Sequence, residues 1–448
     1  MSPSQRASRR QFLRMAAAAA AAPVAVSSLW AQESPAAPSE RIALGLIGIG
    51  AMGQGHLRCF LGFDDVQVLG VCDVDPWRRH NARQLANEVY AARRADGTFR
   101  GCREHVDLRE LIGRDDIDAV VIATGDRWHA AASVLAARAG KDIYCEKPVS
   151  LTIREARAIA QAVERHQRVF QTGLQQRSAP EFHRACDLVR SGAIGKVKAV
   201  YVPFPGTSEP VNLPPEPVPE GLDWDLWLGP CPWRPYNRRF HPAGPPPHVV
   251  PWHFCRDFGG GNLTSNAVHA LDVVQWGLGM DLGGPVEIVP PGSGGAPNLT
   301  YLYSGGTVAH VVNWQLNPSV HDVPPGWDPK KRLGLFGALF VGEHGWVHVG
   351  RQGLLETHPA DLLAATVPSE SRRALGNHQR DWLDAIRTRR ATLCGAETGG
   401  RSTIVAHLGC IAHWTGRTLR WDPASETFPD DDEAQRLTWR AMRAPWQV

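Results

Sequence analysis

Residues 41–56 read RIALGLIGIGAMGQGH, an apolar run that passes without a gap into a glycine triplet. Ile42 to Ile47 is the short, continuously apolar segment that a parallel strand covered on both faces needs. Gly48, Gly50 and Gly53, with Ala51 and Met52 before the last, complete the pattern G-x-G-x-x-G. In such a turn the first glycine permits the tight bend and the second lets backbone amides approach a pyrophosphate. The third lets helix and strand pack closely, and the helix amino terminus favours the anion. Val66 to Val71 is a second apolar run, ending at Cys72-Asp73. A carboxylate thus stands about twenty residues beyond the last glycine, where it can bind a ribose diol. Asp73 would repel a 2′-phosphate, so NAD is the expected cofactor, with NADP left open by Arg78 and Arg79.

The pattern continues outward. Ile117 to Ala123 is a third apolar run ending at Thr124, Trp128 to Ala139 has helical spacing, and Asp142 to Cys145 runs into Glu146-Lys147-Pro148. Strands alternating with helices imply an α/β fold with a parallel sheet, helices on both faces and a ligand at the carboxyl ends of the strands. That geometry gathers the glycine turn, Asp73, the segment from Thr124 through Trp128 to His129, and Glu146-Lys147 on one edge as cofactor-binding residues. A lysine at such a crevice can hold a substrate oxygen and, once desolvated, exchange a proton with it.

Leu151 to Arg165 is helical in spacing. Val169 to Arg177 reads as a strand crossing into a second domain, with the boundary near Gly173 and Arg177 as a candidate substrate contact. Lys196 to Val202 begins the second sheet. Residues 203–251 are crowded with prolines and contain Trp224, Trp227 and Trp233, with Trp252 just beyond. A loop of this length is expected to be a functional covering, its tryptophans packing prolines or stacking on a sugar face. Gly259-Gly260-Gly261 then precedes a helix with Leu263, Ala267, Ala270, Leu271 and Val274 on one face. His269 and Asp272, three apart, share a face, so Asp272 is expected to orient the imidazole.

The succession GLIGIGAMG, TGDRWH, GKDIYCEKPVS, SGAIGKV and GGGNLTSNAVHALD resembles the Gfo/Idh/MocA oxidoreductases, the family of glucose-fructose oxidoreductase and inositol dehydrogenase. The resemblance runs over nearly all of the chain after the leader. It implies an N-terminal Rossmann domain plus a C-terminal α/β domain with a large open, mainly antiparallel sheet, the substrate lying between that sheet and the nicotinamide. It also implies Lys147 and His269 as the acid/base pair, His269 taking the hydroxyl proton and Lys147 polarising the oxygen, and Asp272 joins this catalytic set through its spacing from His269. Many members carry an aspartate four residues before this histidine. Ser265 stands there instead, able to hydrogen-bond a substrate hydroxyl but supplying no carboxylate.

The expected activity is therefore NAD(P)-dependent hydride transfer to or from a secondary alcohol of a sugar or polyol. Two other readings use the same residues. One is glycoside cleavage through internal oxidation, elimination, hydration and reduction; the other is carbohydrate binding without turnover.

Composition agrees with a two-domain globular chain: 448 residues, 43% hydrophobic and 21% charged. A net charge of +3 with scattered basic residues argues against nucleic acid. Nine cysteines without a CxxC pair suggest neither a metal site nor a regular disulfide framework. At the head of the chain, Ser8-Arg9-Arg10-Gln11-Phe12-Leu13 precedes a short alanine-rich run, which resembles a twin-arginine signal read by the export machinery. That run is too short for a stable membrane anchor, so a periplasmic or otherwise exported protein is expected. The expected organisation is a signal peptide over 1–31, a linker over 32–40, a Rossmann domain over 41–172, a substrate and oligomerisation domain over 173–415, and a tail over 416–448. A homo-oligomer is expected from the open sheet edge and the resemblance.

Overall fold

A computed structural model describes residues 40–91, 99, 101–247, 251–367 and 376–448. The expected signal peptide and all but the last residue of the linker lie outside the described residues.

The first domain alternates as expected: β1 (Ile42–Ile47), α1 (Ala51–Leu61), β2 (Val66–Cys72), α2 (Pro76–Val89), β3 (Arg103–His105), α3 (Leu108–Ile112), β4 (Ala119–Ile122), α4 (Asp126–Arg138), β5 (Asp142–Cys145), α5 (Ile153–Arg165) and β6 (Phe170–Thr172). The six strands lie in the order β3-β2-β1-β4-β5-β6, all parallel. Leu44 pairs with Val68 on one side and Ala119 on the other. All three are fully buried, as the apolar runs of a doubly covered sheet require. Helix starts follow local chemistry. Asp75 accepts from the amides of Trp77 and Arg78 with Pro76 in the first turn, and Thr152 accepts from Glu155 N.

The expected crossing strand through Arg177 ends early, at Thr172. Residues Gln175–Ser178 form a 3₁₀ turn instead, leading into α6 (Pro180–Arg190). There follow β7 (Val197–Val202), α7 (Trp224–Leu228), a 3₁₀ turn at Pro251–Phe254, a π-type turn at Leu263–Ala267, and α8 (Val268–Gly277). The remaining elements are β8 (Glu287–Val289), β9 (Leu299–Leu302), β10 (Val308–Val311), β11 (Ala338–Gly342), β12 (Trp346–Gly350), β13 (Leu354–His358), α9 (His378–Thr388), α10 (Ala396–Thr415), β14 (Leu419–Arg420) and α11 (Asp432–Arg436).

The second sheet has eight strands in the order β13-β12-β11-β7-β10-β9-β8-β14. Only β7 and β10 pair in parallel. Alternation sorts its side chains: Val200, Val202, Phe340 and Val347 join the main core with α8 and α10. Tyr201, Leu339 and Trp346 face the other way, where Val312, Leu316, Trp327 and Leu333 of the same chain cover them.

The tail is a clamp. Arg440 Nε bonds Glu155 at 2.6 Å, Arg443 Nε donates to Gly229 O at 3.0 Å, and Trp446 meets Trp128 edge-on at 4.7 Å.

Candidate active site

The carboxyl edge of the Rossmann sheet opens into a cavity of about 410 Å³. Gly48, Gly50, Ala51, Met52, Asp73, Thr124 and Trp128 all line it. Gly48 has φ +87°, a left-handed conformation that favours glycine. A Cβ at Gly50 would meet nothing within 4 Å, so this turn leaves open space where a pyrophosphate approaches backbone amides. Asp73 Oδ2 accepts from Ile49 N at 2.7 Å and Oδ1 from Asp75 N at 2.9 Å. Its carboxylate is thereby fixed at the end of β2, with acceptor capacity left for a ribose. The two arginines that left NADP open are already engaged. Arg78 donates to Gly244 O and Pro242 O, and Arg79 to Asp73 O and Val74 O. These residues fit NAD.

Of the expected cofactor residues, Lys147 is not among those lining this cavity, and neither are Gly53, His129 and Glu146. Gly53 packs against the Gly48 carbonyl. His129 bridges Pro148 O at 2.6 Å and Thr124 O at 3.3 Å. Glu146 bonds His56 at 2.8 Å and Gln175 at 3.3 Å. They brace the strand ends that present Thr124 and Lys147.

The described residues of the long proline-rich segment reach the cavity. Leu226, Trp227, His241, Pro246 and Trp252 line it. Asp75 Oδ2 holds the segment by accepting from His241 Nε2 at 3.1 Å and Gly244 N at 2.9 Å. Arg127 donates to Trp227 O at 2.8 Å, with its guanidinium 3.5 Å from the Trp227 ring centre, and Trp128 Nε1 donates to Leu226 O. Trp224 and Trp227 stack at 4.4 Å. They use their faces on each other, while Trp233 is exposed.

Lys147 emerges from β5 and donates from Nζ to the Ser265 carbonyl at 2.7 Å, which joins the two domains at the motif before α8. Burial lowers the Lys147 pKa despite Glu146 and Asp126 nearby. Burial also drives His269 well below its ordinary value, reinforced by Lys147 and Arg351. His253 is pushed down to about 4, chiefly by burial and further by the charge of Lys147. Burial raises Asp126 to about 7, against the pull of Lys147. Among the described residues, Ser265 Oγ, His253 Nε2 and Asp126 Oδ2 are buried polar atoms without hydrogen-bond partners. Such atoms call for a ligand or water.

Two expected roles are corrected. Asp272 does not orient His269. Its carboxylate accepts Arg177 Nε at 2.9 Å and Nη2 at 2.8 Å and Ser402 Oγ at 2.7 Å. A fork-shaped guanidinium is the stronger claimant for a carboxylate. Arg177, equally, does not face substrate: it is buried and its remaining donors go to Asp281 at 2.7 and 3.1 Å. The imidazole instead meets Gln176, and behind Gln176 stands Arg351 from the turn after β12. Neither was foreseen. Gln176 adjoins Arg177 in a polar LQQR stretch, but Arg351 lies in a strand-to-strand turn that no motif marks.

Two family models match the chain. One, described as an oxidoreductase family with an NAD-binding Rossmann fold, covers residues 42–174. The other, the oxidoreductase family C-terminal alpha/beta domain, covers 204–292 and 365–448. A glycosyl hydrolase family 109 protein of Shewanella pealeana is 30% identical over 175 residues, 36% of this chain and 38% of that protein. An inositol 2-dehydrogenase of Acidothermus cellulolyticus is 33% identical over 182 residues, 40% of this chain and 49% of that protein. The chain thus spans less than half the length of these curated relatives.

Solved structures share the fold. Aldose-aldose oxidoreductase of Caulobacter crescentus superposes with a TM-score of 0.56 at 18% identity, covering 85% of this chain and 99% of that one. Scyllo-inositol dehydrogenase of Lactobacillus casei, solved with NAD(H) and scyllo-inositol, gives 0.54 at 16% identity over 85% and 99%.

Proposed function

Because the chain belongs to the Gfo/Idh/MocA oxidoreductase family, we propose that it transfers hydride between a retained NAD and a secondary alcohol of a sugar, polyol or related compound. The observation that carries this reading is the bond from Lys147 Nζ to the Ser265 carbonyl. It brings the lysine of the Rossmann edge to the start of the helix bearing His269, on the strand edge that also carries the glycine turn and Asp73 of the cavity. Bound there, the nicotinamide supplies the hydride acceptor. Lys147 and His269 hold the reacting oxygen and manage its proton. Ser265 Oγ and His253 Nε2 offer unpartnered atoms to neighbouring hydroxyls.

The covering segment favours a cofactor that stays bound through many turnovers. A fixed cofactor must be reoxidised in place, by a second sugar or by the product itself, so glycoside cleavage through an internal redox cycle is the second reading. We infer that this work is done outside the cytoplasm, because residues 8–13 resemble a twin-arginine signal: a trapped nucleotide would have to be loaded into a folded domain before export. The test is single-turnover exposure of purified protein to a panel of polyols and aryl glycosides. Reduction of bound nicotinamide by a polyol supports the first reading. Release of aglycone with no net reduction supports the second, and inertness toward both with sugar binding intact would leave only a binding protein.

A further inference from the structure

His269 is buried at 3% exposure, and its Nδ1 lies 2.9 Å from the carboxamide of Gln176, itself 2% exposed. The other end of that carboxamide lies 3.1 Å from Arg351 Nε and 3.2 Å from Arg351 Nη2. A guanidinium has only donors and does not lose its charge in a protein. The amide atom facing Arg351 is therefore the carbonyl oxygen, and the atom facing His269 is the NH₂, a donor. Nδ1 must accept, so the single proton of the neutral ring sits on Nε2. Phe336 holds both ends of this relay, with the Arg351 guanidinium 4.2 Å from its ring centre and the His269 ring 5.0 Å away, edge-on.

We propose that Arg351, acting through Gln176, locks His269 in its Nε2–H tautomer, so that His269 donates a hydrogen bond to the reacting oxygen and Lys147 Nζ takes the proton. The inference rests on the hydride-transfer reading and reverses the roles the sequence pattern implied. A neutral Nε2–H has no lone pair for a hydroxyl proton. It can stabilise negative charge developing on oxygen, the task of a neutral imidazole used as an electrophile. The balance in the oxidative direction is then complete: the carbinol C–H bond breaks and hydride leaves for the nicotinamide, the O–H proton passes to neutral Lys147, and the carbonyl forms under the His269 N–H. An imidazolium is disfavoured in this setting, because the ring is buried, Arg351 lies behind Gln176 and the Gln176 NH₂ is a donor aimed at Nδ1. Charged or titratable groups influencing Lys147 are Glu146, Asp126 and Arg351, with His253 and His269 nearby.

Arg351 and Gln176 are positioning residues, and the test reads the tautomer itself. Nitrogen-15 spectra of histidine-labelled full-length protein, with His269 assigned by loss of its signal in His269→Asn, should show a pyrrole-like Nε2 and a pyridine-like Nδ1. Arg351→Lys, still a pure donor, should keep this pattern. Gln176→Glu places an acceptor at Nδ1 and should reverse it, moving the proton to Nδ1. Wild-type spectra with the proton on Nδ1, or a pattern unmoved by Gln176→Glu in protein that retains its fold, would overturn the proposal. These readouts need no turnover. Failure of the hydride-transfer reading would register separately, as a protein that binds no nicotinamide nucleotide while its His269 signals remain as described.

Discussion

Replacing Lys147 by methionine removes both the proton acceptor and the cation that touches the Ser265 carbonyl, while leaving the glycine turn and Asp73 in place. Turnover should fall about 10²–10⁴-fold with bound nucleotide retained, measured as single-turnover rate against nucleotide released on denaturation. Loss of nucleotide in parallel would instead make Lys147 a cofactor residue. Since Lys147 must be neutral to accept a proton, the oxidative rate should rise with pH and level off. The midpoint should lie below that of an ordinary lysine, because burial lowers this one. Ser265→Asp should slow the oxidative rate at neutral pH, since a carboxylate on the residue whose carbonyl Lys147 touches would favour the charged ammonium; a large gain would show that the serine limits a conventional dehydrogenase. The placement of Lys147 just beyond a strand end and of His269 at a helix start was legible in the sequence, because each sits in a motif tied to that element. The partnership of His269 was not legible: spacing of three on a helix says that Asp272 is near, not that Arg177 has already claimed it. Removing that claim with Arg177→Met would leave Asp272 buried without its cation, at about 3–5 kcal/mol of stability, read by denaturant unfolding. A raised KM at unchanged stability would restore Arg177 to the substrate site.

At the scale of elements, the covering segment lines the cavity through Leu226, Trp227, His241 and Pro246. Asp75 fastens it to the Rossmann domain: one oxygen caps α2, and the other holds His241 and Gly244. Asp75→Ala should therefore release the segment and speed nucleotide dissociation by tenfold or more, followed through the fluorescence of bound reduced cofactor; an unchanged dissociation rate would mean that the segment is not the barrier. The apolar strands β1, β2, β4 and β5 were readable because burial on both faces leaves a continuous apolar run. Strand β3 was missed because it is three residues long, polar (REH) and at the sheet edge. The expected strand through Arg177 was cut short because the residues after Thr172 turn into a 3₁₀ segment that serves Gln176 and Arg177 to different neighbours. The tryptophan-rich stretch was legible as a covering, but which surface it covers depends on Asp75, Arg127 and Trp128, all distant in sequence.

The whole molecule buries neutral histidines in its core, and this sets its response to acid. Burial lowers His378 and His407 to about 4, against about 6.5 in an unfolded chain. Between these values the unfolded state binds more protons, so stability is greatest above pH 6.5 and falls as pH drops toward 4. Each residue contributes on the order of 3 kcal/mol to that loss. Thermal melts across this range should show a steep decline, eased by His407→Gln; a flat profile would mean that these rings are solvated when folded. Nine cysteines, eight of them buried and all unpaired, suit a chain that we propose is exported already folded. The most direct test of the central claim is the nucleotide itself: purify the protein after passage through its own leader, add no cofactor, denature it and identify what is released. Stoichiometric NAD is predicted. Protein that is empty, and that binds neither NAD nor NADP when offered, would contradict the enzyme reading outright.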